Sequence, residues 1–249
     1  MFSSEQKKKE ELEATNASIG RELHTSIGRL QSLEGFLVEH SEIDEKSVTT
    51  SFSNLWAFAA SEVFPFLEQE VAAKILNEKL RTTNFRNLPH YVPLVPSNTP
   101  GAKGMRFAMT LAVLSREIDR HIFRPMYILP GDAQIRDILS HLAERNSEKE
   151  AFCRRVLLSI DPDAENEITQ SEIRAVVRSM SSYVWGLLSE TQHDSFCTSI
   201  ERIVQNAVEV CIPIQHAQQK YETDFELSDL EDDEWRHFNF PNDYTAQNE

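Results

Sequence analysis

From Phe107 onward, apolar side chains return every three or four residues for about a hundred positions, in a chain that holds only seven glycines. That spacing places them on one face of a 3.6-residue helix, and glycine scarcity removes the usual means of breaking it. Phe107, Leu111, Leu114, Ile118 and Ile122 line a helix expected to end near Arg124, just before Pro125. Asp132 is the expected N-cap of the next, with Ile135, Ile138, Leu139 and Leu142 inward. Ser147 and Glu150 have capping-box spacing ahead of Phe152, Val156, Leu157 and Ile160. Two further helices follow, one through Ile173, Val176, Met180, Val184 and Leu187. The other runs through Phe196, Ile200, Ile203, Val204, Ala207 and Cys211, with a bend expected at Pro213. Short connections between five such helices predict an all-α, multi-helix bundle over residues 105–221.

Residues 1–81 form an N-terminal helical region by the same reading. Over residues 5–39, Leu12, Asn16, Ile19, Leu23, Ser26, Leu30, Leu33 and Leu37 fall on alternating d and a positions of a heptad. Six of the eight are aliphatic, which suits either a homodimeric coiled coil or a first helix packed on its own domain. Asn16 at an a position would define register in the coil, whereas Gly20, Gly28 and Gly35 each weaken the helix. From Ser51 to Leu80, Phe52, Leu55, Trp56, Ala59, Ala60, Val63 and Phe64 form a core face that Pro65 interrupts. Residues 82–104 carry Pro89, Pro93, Pro96, Pro100, Gly101 and Gly104, the composition of a proline-rich loop or linker. Its Pro93 and Pro96 make a PxxP pattern without a well-placed basic flank. Whether the helices of 1–81 share a core with those of 105–221 is left open by the pattern.

The net charge of −15 is concentrated at one end. Residues 222–249 form an acidic tail of net −9, holding ten carboxylates against the single Arg236. A basic footprint for nucleic acid is therefore not expected. Within the tail, Phe225, Leu227, Leu230, Trp235, Phe238 and Phe240 alternate with carboxylates, as in segments that fold on a protein partner. Acidic residues follow Ser228, as an acidophilic kinase prefers. No window reaches the roughly 18 apolar residues of a membrane span. The first residues lack the apolar segment of a secretory signal. With three cysteines, Cys153, Cys197 and Cys211, and no CxxC pair, the expected compartment is cytoplasm or nucleus.

One stretch invites a metal. In "DPDAENEITQSE", Asp161, Asp163, Glu165, Glu167, Thr169 and Glu172 occupy the ligand positions of a calcium-binding EF-hand loop, with Ile168 at the aliphatic position. Asn166 stands where the loop needs glycine, Glu165 is long for its place, and no second loop accompanies it. The competing reading is a helix start, with Thr169 as N-cap, Glu172 completing a capping box, and Ile168 and Ile173 forming a hydrophobic staple.

Other constellations are incomplete. His193 and Cys197 share a helix face with no fourth zinc ligand, and no phosphate loop, HExxH or nucleophile elbow is present. Arg116, Arg120 and Arg124 form a stripe flanked by Glu117 and Asp119, as on a solvated helix face. The runs "SFSNLWAFAASEVF", "FAMTLAVLSREIDRHIFRPMYI" and "ILSHLAERNSEKEAFCRRVLLSI" resemble uncharacterised all-helical proteins of filamentous fungi. The resemblance implies an all-α fold and carries no activity, ligand or site residue. The expected function is that of a non-enzymatic helical interaction or scaffold protein, with a calcium-responsive regulator as the alternative.

Overall fold

A computed structural model describes residues 2–35, 37, 41–76, 94–127 and 133–223, the side chains of 2–5 and 133 excepted. Within these residues the chain is all-α and forms no strand, as the periodicity predicts. Seven helices lie wholly among the described residues, in order α1 Phe2–Glu34, α2 Glu45–Leu67, α3 Pro100–His121, α4 Ala133–Arg145, α5 Ser147–Leu158, α6 Pro162–Val184 and α7 Glu190–Gln215, and residues 73–76 are helical as well.

Most starts are set by short polar side chains that accept a hydrogen bond from an otherwise unpaired backbone N–H. Asp44 accepts from Ser47 at 2.7 Å, which holds its carboxyl below the usual range. Asn146 accepts from Lys149 at 2.8 Å, and Asp161 from Ala164 at 3.0 Å. Two expected starts therefore move. Ser147 lies inside α5 because Asn146 caps it, and the turn beginning at Asp161 is already helix because Pro162 fits the first helical position. Thr169 sits two turns inside α6, its hydroxyl donating to the Glu165 carbonyl at 2.8 Å. The helical region also begins before the expected linker boundary. Thr99 caps α3 and Pro100 opens it, so Gly101 and Gly104 are helical. Pro65 and Pro213 each fall in the last turn of their helix, α2 and α7, rather than dividing it.

The core joins α2 to the later helices. α2 packs on α3 and α7, α3 on α6, and α6 on α7. Leu55, Ala59 and Val63 of α2 meet Leu114 and Ile118 of α3, Val176 and Met180 of α6, and Ile200, Ile203 and Val204 of α7 in one buried cluster. Edge-on ring pairs tie these helices together: Phe64 with Phe107 at 5.3 Å and Phe66 with Phe196 at 5.4 Å. Beyond α2, Asn98 makes two bonds to the backbone of Val71, at 3.1 and 2.8 Å. Buried Arg106 reaches the Ser97 carbonyl at 2.6 Å.

The carbonyls left by α3 at its end are taken up by other parts of the fold. Ile122 O accepts from Tyr127 Oη at 2.6 Å and from Cys211 Sγ at 3.4 Å. Phe123 O accepts from Arg136 at 2.6 Å, and Arg124 O from Gln215 Nε2 at 2.6 Å. Burial pushes the Tyr127 hydroxyl well up and the Cys211 thiol to about 12, so both stay protonated donors.

The α4 and α5 helices pack on each other as a hairpin. Polar bonds attach it to the body, namely Arg136 to Asp119 at 3.0 Å and Arg154 to the Gln215 carbonyl. The α1 helix takes part in none of the main helix pairings. Its root returns to the body at Ser41, whose N–H donates to His216 O at 3.1 Å within an isolated parallel bridge to Ala217.

Candidate functional site

The acidic stretch is the first place to look for a metal, and helix formation spreads it out. At 1.5 Å per residue, Asp161 and Glu172 are separated by about 16 Å along the axis, whereas a calcium loop gathers its oxygens within roughly 2.5 Å of one ion. Glu165 and Glu172 face the body and already have partners. Glu165 Oε1 accepts from the Tyr127 N–H at 2.7 Å. Glu172 lies 2.5 Å from His121 Nδ1 and 3.4 Å from Arg124. Asp161, Asp163 and Glu167 are exposed, and Asp161 is occupied as the cap of α6. With Pro162–Val184 helical, the alternative reading of 161–172 as an EF-hand loop is not what the fold forms: Glu165 and Glu172 are drawn to the body while Asp161, Asp163 and Glu167 stay exposed. Among the described residues no three His, Cys, Asp or Glu side chains gather as a metal centre would require.

Among the described residues the thiols and histidines do not assemble either. His193 is buried beneath the exposed Trp185, ring centroids 4.0 Å apart, with Nε2 3.3 Å from the Trp185 carbonyl. Cys197 lies half-buried beside a shallow groove between α6 and α7, and Cys211 lies under the α3 terminus.

A cavity of about 400 Å3 lies where α2, the α3 end, α7 and residues 220–223 meet. Its walls are mainly apolar, from Phe52, Trp56, Phe123, Pro125 and Ile214. Four cations border it, and each is already engaged. Arg124 pairs with Glu172, Arg136 with Asp119, Arg154 with Glu150, and Lys220 with Glu222. Among its lining residues the sulfur nucleophile is Cys211, held as a thiol by burial. The cavity thus has an apolar interior and a charge-paired border among the described residues.

The surface that stands out is on α1. Leu12, Ile19, Leu23, Ile27, Leu30 and Leu33 are between 43% and 63% exposed. All but Ile27 belong to the predicted a/d seam, and Ile27 flanks it. The expected packing of this helix on its own domain is not what the fold shows. The side-chain bonds along α1, from Thr15 to Glu11, Arg21 to Ala17, Thr25 to Arg21 and Lys9 to Glu13, all stay within the helix. The helix ends at Glu34, so Leu37 falls beyond it. A smaller set of exposed apolar side chains, Ile138, Phe152, Val156 and Ile160, lies along and just beyond the α4–α5 hairpin.

The partner-binding residues expected in the tail, Phe225, Leu227, Leu230, Trp235, Phe238 and Phe240, lie outside the described residues, as do Ser228, Pro93 and Asp132. No helix among the described residues is long and apolar enough to cross a membrane. No protein-family model matches the sequence, and no curated protein or solved structure matches it either.

Proposed function

We propose that the protein is a non-enzymatic helical scaffold that engages protein partners through α1. One observation carries this reading: a 33-residue helix keeps an aliphatic stripe in solvent while α2, α3, α6 and α7 bury theirs in one core. Helices of this kind draw most of their stability from packing an apolar face, and α1 additionally carries Gly20 and Gly28. A long exposed stripe on a helix outside the core is accordingly the mark of a surface completed by association.

The experiment compares the full chain with a Leu23→Asp/Leu30→Asp variant by proximity labelling in the native cell. Because neither residue touches the core, the melting temperature of the body should hold while the set of labelled neighbours shrinks. An unchanged set of neighbours overturns the reading.

A further inference from the structure

The α1 stripe has a pattern specific enough to name what covers it. We propose that α1 pairs with the α1 of a second copy, as a parallel, in-register two-stranded coiled coil; this rests on α1 being the interaction surface.

Taking the seam as drawn from the sequence, Lys9, Asn16, Leu23 and Leu30 occupy a, and Leu12, Ile19, Ser26 and Leu33 occupy d. Each of the five aliphatic seam residues is more than half exposed, so the body does not compete for them. Burying these and Ile27 on both copies removes on the order of 1,000 Å2 of surface, the size at which specific interfaces begin. A helix of 33 residues extends about 50 Å, long enough for four heptads to engage along one face.

The flanking charges choose the orientation. Positions g are Lys8, Thr15, Glu22 and Arg29, and positions e are Glu13, Gly20, Ile27 and Glu34. In a parallel pair each g residue faces the e residue five positions later on the other chain. Lys8 then meets Glu13 and Arg29 meets Glu34, each twice by symmetry, and no like charges meet. In the antiparallel alignment that best matches the apolar layers, Ile19 opposes Leu23 and Leu12 opposes Leu30. That alignment sets Glu22 against its own copy and forms no pair of opposite charges. The Asn16 layer acts in the same direction. In parallel register the two Asn16 amides hydrogen-bond each other, the arrangement that fixes two strands and one register.

Sedimentation equilibrium on the purified full chain tests the pairing. The expected mass is twice the 28.6 kDa of one chain, falling to one chain for Leu23→Asp/Leu30→Asp with the body's melting temperature kept. Orientation is read from oxidation of Ser26→Cys, in a background with Cys153 and Cys197 changed to Ser. A parallel pair sets the two introduced thiols in one layer and gives a disulfide-linked dimer. A trimer or tetramer mass overturns the two-stranded form. Cross-linking only when Asn16→Cys chains are mixed with Ser26→Cys chains overturns the parallel form. If the wild-type chain sediments as a monomer at its highest soluble concentration while the aspartate variant still loses its cellular neighbours, α1 docks on a different protein. The self-pairing then falls and the scaffold reading stands. A monomer with unchanged neighbours removes both.

Discussion

Glu150 and Arg154, one turn apart on α5, are buried together, the two side chains joined by bonds of 2.8 and 3.0 Å at residues 0% and 3% exposed. The same guanidinium donates to the Gln215 carbonyl at the end of α7, so the pair links the α4–α5 hairpin to the body. A buried pair of this kind contributes little net stability, yet losing one member strands a charge.

Arg154→Ala is therefore expected to destabilise the fold by about 3–5 kcal/mol, since Glu150 is left charged and unpaired out of water. Glu150→Leu/Arg154→Met should recover most of that loss. It should still fall short of wild type by roughly 1–2 kcal/mol, because Gln215 O loses its donor. Urea unfolding of the three chains checks the order, and a double variant no better than Arg154→Ala contradicts it.

Asp161→Ala removes the cap of α6 and should cost about 1 kcal/mol. With Asp161 serving as a cap, the loss is the same in millimolar Ca2+ and in chelator. A loss that appears only with calcium would restore the metal-loop interpretation.

An added Cβ at Gly28 meets nothing within 4 Å, and the residue sits on the outer f position of the heptad. Gly28→Ala should stabilise α1 by about 1 kcal/mol per chain through helix propensity alone. Far-ultraviolet circular dichroism should show a higher melting point of the α1 signal. If α1 is ordered by pairing, association should tighten as well, and no change in either quantity counts against the helix.

His216 closes α7, and burial, with the nearby charges of Arg154 and Arg155, holds its imidazole below the ordinary value of 6.5. Below about pH 6.5 the unfolded chain takes up a proton that the folded chain resists, so this residue removes stability as pH falls towards its folded value. His216→Gln should lose less stability than wild type between about pH 7 and pH 5, measured by denaturant midpoints. Parallel pH curves for the two chains would dismiss the contribution.

Much of the bundle can be read from single residues, because Leu114, Ile118, Ile200 and Val204 repeat at helical spacing and all become core. The start of α6 is harder to place. Between Pro162 and Glu172 the outer turns are exposed and offer little apolar period, so Asp161, the true cap, looks like a ligand and Thr169 like the cap. What α6 does with its carboxylates depends on contacts far along the chain. Glu172 meets His121 at a separation of 51 residues, and Glu165 meets Tyr127 at 38. No local pattern encodes such pairs. The α1 seam is legible in full as a heptad, but its freedom from the body is not, since that depends on α2, α3, α6 and α7 satisfying one another without it.

The bridge between Ser41 and Ala217 fastens the segment that follows α1 beside the end of α7. From Ala217 the described chain continues to Thr223, which bonds Asp119 in the last turn of α3. Whatever grips α1 is therefore brought to the end of the body where α7 closes.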